Sequence, residues 1–293
     1  MDLSRGEKIL RAINYTVLVL VAAVCLIPVW HVFCASISDP QMLNANQKIV
    51  FWPLGEWTIG GYQQVLKTKY ILHAYLNTIF YVAFSTFIGM ALTIFGAYGL
   101  SRKHLALRKP LNFFLTFTML FSGGLIPTYI VVRNLGMLDT IWAIIIPGCV
   151  SVYNMMIMRT SFASVPEALE EAAEIDGAGH FTILFGIILP VSKAVLAVIT
   201  LFYVVQNWNS WFHTAIYVRK REMYPLQLWL RDIVISESTA SLELDSGDVN
   251  AFNQTRMLVK YCVIVISIIP MMIVYPFVQR YFVKGVMIGS IKE

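Results

Sequence analysis

The feature that most constrains this chain is a series of long apolar stretches, each about the length that crosses a lipid bilayer. A transmembrane helix needs roughly 20 mainly apolar residues. Stretches that meet this need with few or no charges cover about residues 13–35, 76–100, 111–132, 140–158, 186–209 and 258–279. Because 58% of the residues are hydrophobic and only 13% are charged, one soluble core could not bury this much apolar surface. The sequence predicts an all-α polytopic membrane protein with six transmembrane helices in a single domain, residues 1–293.

The first apolar stretch follows Arg5, Lys8 and Arg11, as the core of a secretory signal would. It is longer than an ordinary signal core, and it contains Pro28 and Trp30 without a small-residue cleavage site. We therefore interpret it as a retained helix that is preceded by a cytoplasmic segment.

The charges between the stretches indicate how the chain is oriented. Short loops rich in Lys and Arg stay in the cytoplasm, and residues 102–109 carry four basic side chains. Six crossings then place the N- and C-termini in the cytoplasm and two long connections outside, at about 36–75 and 210–257. The net charge of +5 therefore reflects topology and predicts no nucleic-acid partner. In the second connection, residues 236–248 are polar and acidic, with little local structural preference.

The connection between the fourth and fifth stretches is acidic, although this topology places it in the cytoplasm. Residues 167–180 contain five carboxylates and no Lys or Arg. Ser164 and Glu167 have capping-box spacing and Gly177 provides a stop, so a short helix is predicted at about 165–178. Four glutamates share one face of this helix, opposite small apolar residues. They are Glu167, Glu170, Glu171 and Glu174. A plain amphipathic surface helix would explain these features alone.

A longer pattern runs through this segment and past it. The sequence reads Glu171-Ala172-Ala173, then Gly177, then Ile187-x-Leu189-Pro190, which matches E-A-A-x3-G-x9-I-x-L-P at every defined position. The pattern resembles the signature of the membrane subunits of binding-protein-dependent ABC importers. Its longer form, Glu-Ala-Ala-Glu-Ile-Asp-Gly-Ala, resembles the carbohydrate branch of that family. A plain surface helix would leave the glycine and the distal Leu-Pro as coincidences.

The resemblance extends over most of the chain. Residues 121–129, 134–140, 208–212 and 281–285 look like segments of MalG-type sugar permeases. This resemblance implies the type I ABC importer permease fold and an importer for an oligosaccharide or polysaccharide in the bacterial cytoplasmic (inner) membrane. The second permease subunit of an alginate importer is the most specific expectation.

The energy for transport has to come from a partner, because the chain has no G-x-x-x-x-G-K-[ST] phosphate loop. The resemblance implies a second permease subunit that forms a heterodimer with this chain, two ATPase subunits that bind ATP-Mg, and an extracytoplasmic sugar-binding protein. The chain itself is not expected to be an enzyme or to hold a cofactor. No catalytic or metal-binding residue is predicted, since the cysteines and histidines are scattered. A secondary transporter driven by an ion gradient is the alternative, although the nearly charge-free stretches oppose an ion relay.

Two sets of residues are predicted to carry the function. By resemblance, Glu171 contacts a basic group of the ATPase, Ala172 and Ala173 permit close approach, Gly177 makes the turn and Pro190 breaks the next helix. The whole coupling set is Glu171, Ala172, Ala173, Asp176, Gly177, Ala178, Leu189 and Pro190. Polar or aromatic side chains within the stretches are candidates for the sugar path: Asn77, Tyr81, Tyr153, Asn154, Tyr203, Gln206, Asn207 and Trp208. The same residue types also hold transmembrane helices together, and the sequence leaves both roles open.

Overall fold

The computed structural model describes residues 4–46, 48–235 and 249–290, and every regular element in these ranges is a helix. The α-helices are α1 (Arg5–Ser36), α2 (Pro40–Ala45), α3 (Gly60–Lys67), α4 (Lys69–Ser101), α5 (Arg108–Leu120), α6 (Leu125–Asn134), α7 (Ile141–Ile145), α8 (Val152–Ala163), α9 (Glu167–Ile175), α10 (His180–Ile183), α11 (Leu189–Val191), α12 (Lys193–Trp208), α13 (Phe212–Tyr217), α14 (Leu226–Ile235) and α15 (Val249–Ser290). A π-helical turn, Leu184–Ile188, joins α10 to α11, and a 3-10 turn, Arg221–Met223, follows α13.

Three helical segments in the described ranges are long and apolar enough to cross a membrane. They are Gly6–Ser36, Lys69–Ser101 and Met257–Pro276. Two more reach that length only across a sharp bend, which is 113° between α5 and α6 and 85° between His180–Val191 and α12. The described part of the chain thus holds three candidate spans, or five if each bent pair is one span. The number of crossings and the side of each terminus stay predictions.

The apolar stretch at 140–158 is divided into two short helices. α7 ends at Ile145, and α8 begins at Val152. Between them lie Pro147 and Gly148, and Gly148 has a φ of +104° that side chains rarely tolerate. A proline removes a backbone donor and a glycine permits a left-handed turn, so the helix cannot continue. The prediction of one continuous helix here is wrong, because apolar composition measures length but not backbone continuity.

Contacts divide the chain into two units. The first consists of Met1–Ile71 with Leu230–Ile269, and the second of Leu72–Trp229 with Pro270–Glu293. The single permease domain expected from the sequence stays a prediction. The acidic segment 236–248 lies outside the described residues.

In the first unit, the end of α1 is held by polar and close-packed contacts. His31 Nδ1 accepts a hydrogen bond from the backbone N–H of Val50 at 2.9 Å, and its ring lies edge-on to Tyr261. α3 packs closely on α15 at Gly61, where an added Cβ would come within 2.7 Å of Cys262 Sγ. The glycine therefore permits the helix contact.

The second unit has a core to which both ends of the acidic segment are attached. Its buried members come from α4, α8, α10, α12 and the turns between them: Ala97, Leu100, Met155, Met158, Phe162, Val165, Ile183, Leu184, Ile188, Ile199 and Tyr203. Val165 precedes α9 and Ile183 follows it, and both are buried. Because burial of apolar surface stabilises such clusters, the core fixes both ends of the segment that carries α9.

Candidate coupling site

The predicted acidic helix exists as α9, but it does not begin with the predicted capping box. Ser164 is the last residue of the preceding turn, and its Oγ donates to the carbonyl of Ser161 at 2.7 Å. Pro166 stands at the N-cap of α9 without a side-chain hydrogen bond. The prediction failed because α8 runs on to Ala163, which leaves Ser164 in a helical conformation instead of the extended conformation typical of an N-cap.

The end of α9 agrees with the prediction in detail. Gly177 has a φ of +80°. Its N–H donates to the carbonyl of Glu174 at 3.0 Å, and the N–H of Ala178 donates to the carbonyl of Ala173 at 2.9 Å. These two hydrogen bonds form a Schellman motif, which satisfies the last carbonyls of a helix and requires a left-handed residue. The prediction that Gly177 takes this conformation is confirmed.

The two sides of α9 face different surroundings. Ala173 and Ala178 pack against the core of the second unit. Glu171, Ala172 and Asp176 are exposed. So are the apolar side chains of Leu169 and Ile175, which have 45% and 86% of their surface exposed. The helix thus has one side packed on its own chain and another that carries both apolar and acidic groups at the surface.

Two of the four glutamates of α9 form ion pairs with the basic loop after α4. Arg102 pairs with Glu170, and Lys103 Nζ lies 2.7 Å from Glu167 Oε1. The hydrogen bond from Lys103 lowers the pKa of the Glu167 carboxyl below its usual value. In the sequence, the basic loop served only as a marker of topology, and these ion pairs were not predicted. The signal for them was that a basic loop and an acidic loop had been assigned to the same side of the membrane.

The distal part of the motif lies at a bend. Leu189 packs against the core of the second unit, and Pro190 follows the π-helical turn Leu184–Ile188. The 85° bend falls after Val191. A proline removes one helical hydrogen bond and crowds the preceding turn, which accounts for a bulge and a kink next to it. This agrees with the predicted role of Pro190 in breaking the helix.

Four of the candidates for the sugar path already have partners within the protein. Asn77 Nδ2 donates to the carbonyl of Glu222 at 2.6 Å, and the Tyr81 hydroxyl donates to the carbonyl of Met223 at 3.0 Å. Asn207 Nδ2 donates to Thr86 Oγ1 at 3.2 Å. The fourth, Tyr203, is buried, and its hydroxyl shares a 2.7 Å hydrogen bond with Thr93 and accepts one from the backbone N–H of Ser151 at 2.9 Å. These contacts give each residue a structural role, whatever its role toward a sugar.

The other four candidates do not form one group. Tyr153 and Gln206 are exposed, whereas Asn154 and Trp208 are buried.

Two of the eight candidates, Tyr81 and Asn207, line one cleft. Its empty volume is about 290 Å³ with open solvent included, and it is lined by Thr78, Tyr81, Ser85, Ile144, Asn207, Ser210 and Pro225. Polar and apolar groups line it about equally, and the enclosed part has room for about one water molecule, not a sugar ring.

A basic segment at 219–221 ends four residues before Pro225 of the cleft lining and was not singled out from the sequence. Its backbone is anchored by Asp139, whose Oδ1 accepts a hydrogen bond from the N–H of Arg219 at 2.6 Å. Asp139 has a φ of +57°, which is uncommon for a residue other than glycine. We call Arg219, Lys220 and Arg221 the basic strip, and all three are exposed. The residues that follow the strip are bound by Asn77 and Tyr81 of α4, and Tyr81 also lines the cleft.

Comparison with known proteins places these features in a family. No family model matches the chain. A permease protein of the polygalacturonan/rhamnogalacturonan transport system of Bacillus subtilis (strain 168) is 37% identical over 279 residues, covering 95% of this chain and 96% of the relative. Protein LplC of the same organism is 35% identical over 295 residues, covering 100% and 98%. The chain belongs to the family of permeases of sugar ABC transporters.

A solved structure extends the likeness to the fold. The crystal structure of a bacterial ABC transporter involved in the import of the acidic polysaccharide alginate contains a chain with a TM-score of 0.84 to this one. The two are 32% identical, and the match covers 96% of this chain and 99% of that chain. The helical architecture is therefore that of an ABC importer permease, as the sequence predicted.

Proposed function

We propose that the chain is one of two different permease subunits of an ATP-driven importer in the bacterial inner membrane. It crosses the membrane six times with both termini in the cytoplasm, and a separate pair of ATPase subunits holds α9. An extracytoplasmic binding protein delivers an oligosaccharide or polysaccharide to the pair of permeases. Hydrolysis of ATP belongs to the ATPase subunits, so this chain needs no cofactor.

The observation that carries the proposal is the exposed side of α9. Ile175 exposes 86% of its surface next to the exposed carboxylates of Glu171 and Asp176, on a helix whose Ala173 packs against the core. An apolar side chain with charged neighbours suits a partner's groove that has an apolar floor and a basic rim. The Schellman turn at Gly177 gives this surface a defined end.

We expect Glu171→Lys to uncouple the importer. A charge-assisted hydrogen bond contributes about 1.5–3 kcal/mol, which corresponds to about a 10- to 150-fold loss of affinity for the ATPase subunits. The measurement is the amount of ATPase that co-purifies with the permease, together with uptake into proteoliposomes loaded with ATP. Glu56→Lys, which makes the same change at another exposed glutamate, is the matched control and should leave both values within twofold.

Normal co-purification and ATP-driven uptake with Glu171→Lys would overturn the role of α9. The energy source is tested in the same vesicles. Uptake that follows an ion gradient and ignores ATP would favour the secondary transporter instead. Both outcomes are read against the unchanged chain in the same preparation, so a loss of activity on purification cannot be mistaken for either.

The sugar is proposed to be acidic. One relative is a permease protein of a polygalacturonan/rhamnogalacturonan transport system, and the structural neighbour belongs to a transporter involved in the import of alginate. In this chain, Asn77 and Tyr81 bind the residues directly after the basic strip, and Tyr81 also lines the cleft. Arginine side chains pair well with carboxylates, and exposed positive charge raises the local concentration of an anionic substrate. The strip therefore fits the entry of an oligosaccharide that carries carboxylates.

We expect the triple variant Arg219→Gln, Lys220→Gln and Arg221→Gln to slow uptake of an oligogalacturonide or oligoalginate by about tenfold at low ionic strength. The loss should shrink at high salt, because exposed charges are screened over about 8–10 Å near 0.1–0.15 M. Initial uptake rates at several salt concentrations provide the measurement. Lys48→Gln with Lys67→Gln, which removes exposed cations from the other long connection, is the control. An equal loss at every salt concentration would contradict the steering role.

A further inference from the structure

Arg102 is the first residue after α4, and its side chain joins three parts of the second unit. Its guanidinium pairs with Glu170 of α9. Its Nη2 donates to the carbonyl of Phe162, near the end of α8, at 3.5 Å. It also lies over the ring of Tyr98 in α4, with Cζ 4.8 Å from the ring centroid. A planar guanidinium can make such directed and stacked contacts at once, whereas a lysine ammonium cannot.

Burial separates this pair from its neighbour. The side chains of Arg102 and Glu170 retain 19% and 15% of their exposure, whereas those of Lys103 and Glu167 retain 67% and 58%. Water and salt screen an exposed pair and leave it with little effect on structure. A largely buried pair is screened much less, and removing one partner leaves an uncompensated charge. Arg102 and Glu170 therefore form the pair that holds α9, and the Lys103 pair adds little.

The surroundings of Arg102 have opposing effects on the pKa of its guanidinium. Burial lowers the pKa of the Arg102 guanidinium, and the ring of Tyr98 and the carboxylates of Glu167 and Glu174 oppose that shift. Arginine stays protonated in proteins under these conditions. The Arg102 guanidinium therefore remains available to pair with Glu170 at physiological pH.

We propose that Arg102 is a positioning residue that clamps α9 to the C-terminal end of α4, so that a displacement of α9 moves α4 with it. The proposal rests on the role of α9 in coupling proposed above. Ala173 of α9 and Ala178 of the turn after it pack against the core of the second unit. Small alanine contacts resist sliding weakly, whereas the clamp ties the helix to a 33-residue helix that is a candidate membrane span. The basic residue that marks the topology of the loop thus also transmits force through it.

The experiment uses the complete importer in lipid nanodiscs. Amide hydrogen exchange is followed in peptides that cover Glu167–Ala178, and the ATP hydrolysed per sugar imported is measured in proteoliposomes. We expect Arg102→Gln to speed exchange in α9 at least fivefold and to raise the ATP used per sugar at least threefold. Lys103→Gln should change either value by less than twofold. Arg108→Gln removes a positive charge from the start of α5, at the other end of the same connection, and controls for topology.

Reversal of the pair separates the clamp from general destabilisation. Arg102→Glu should speed amide exchange in α9 and raise the ATP used per sugar. Adding Glu170→Arg should recover at least half of the lost protection from exchange and half of the lost coupling. A reversed pair no better than Arg102→Glu alone overturns the proposal, as does an Arg102→Gln variant with unchanged exchange. If the ATPase does not co-purify with the unchanged permease, the proposed function fails, and exchange measured on the permease by itself still decides the clamp.

Discussion

Gly177→Val is expected to reduce ATP-driven uptake about 5- to 30-fold while the permease remains in the membrane at its usual level. Gly177 has a φ of +80°, and a left-handed conformation costs a residue with a side chain about 1–2 kcal/mol. A penalty of that size changes a population by a factor of about 5–30. No atom lies within 4 Å of a Cβ added at Gly177. The loss would therefore come from the backbone at the end of α9 and not from a clash within the chain.

Two companion variants make this result specific. Gly179→Val makes the same change two residues later, where the space is equally open but φ is −77°. Valine suits extended backbone, so uptake should stay within twofold. Gly177→Asn should fall between the two, because asparagine tolerates the left-handed region better than other residues. Equal losses at Gly177 and Gly179 would mean that bulk near the partner, not the turn, is responsible. Uptake of labelled oligosaccharide, corrected for permease in the membrane fraction, decides among these outcomes.

Gly89→Ala is expected to produce the largest loss of stability. A Cβ at Gly89 would lie 2.4 Å from the carbonyl oxygen of Cys149 and 3.1 Å from the ring of Tyr203. The carbonyl belongs to the backbone and cannot rotate away, so α4 would have to move off the segment that precedes α8. Overpacking of this kind costs about 1–3 kcal/mol. A cost near 2 kcal/mol lowers a thermal midpoint by about 4–8 °C in a domain of this size.

Gly99→Ala tests that argument on the same helix. No atom lies within 4 Å of a Cβ at Gly99, and alanine favours helix over glycine by about 1 kcal/mol. The purified Gly99→Ala permease should therefore melt at the same temperature as the unchanged chain or slightly above it. A Gly89→Ala protein with an unchanged midpoint would show that α4 and the loop at Cys149 are not in close contact.

The helix α9 shows how much of a candidate site local sequence can predict. Its position, its acidic character and the left-handed glycine at its end all follow from spacing within about fifteen residues. Its start did not follow, because whether Ser164 caps α9 or ends α8 depends on how far α8 continues. The pairing of Glu170 with Arg102 joins residues 68 positions apart in the chain. No local pattern assigns one partner among several basic residues in the same loop.

The candidates for the sugar path show the opposite case. Residue type alone selected Tyr203 and Asn77, since polar side chains in apolar stretches are unusual. The structure gives both of them hydrogen bonds within the protein. No function was predicted for the basic strip from the sequence, because a short run of charged residues in a loop is common. The residues directly after the strip are tied to α4 by hydrogen bonds that join positions more than 140 residues apart in the chain.

The sequence alone was enough to predict an all-helical chain with apolar stretches of membrane-spanning length, and a permease of the sugar ABC transporter family. The length of an apolar stretch and the spacing of a short motif are local properties, so both can be read directly from the linear sequence. The tertiary structure decided where the apolar stretches break and which glutamates of α9 are neutralised. It also showed which side of α9 remains exposed. Those features depend on backbone turns and on contacts between distant residues, whose free energies are set only when the helices pack.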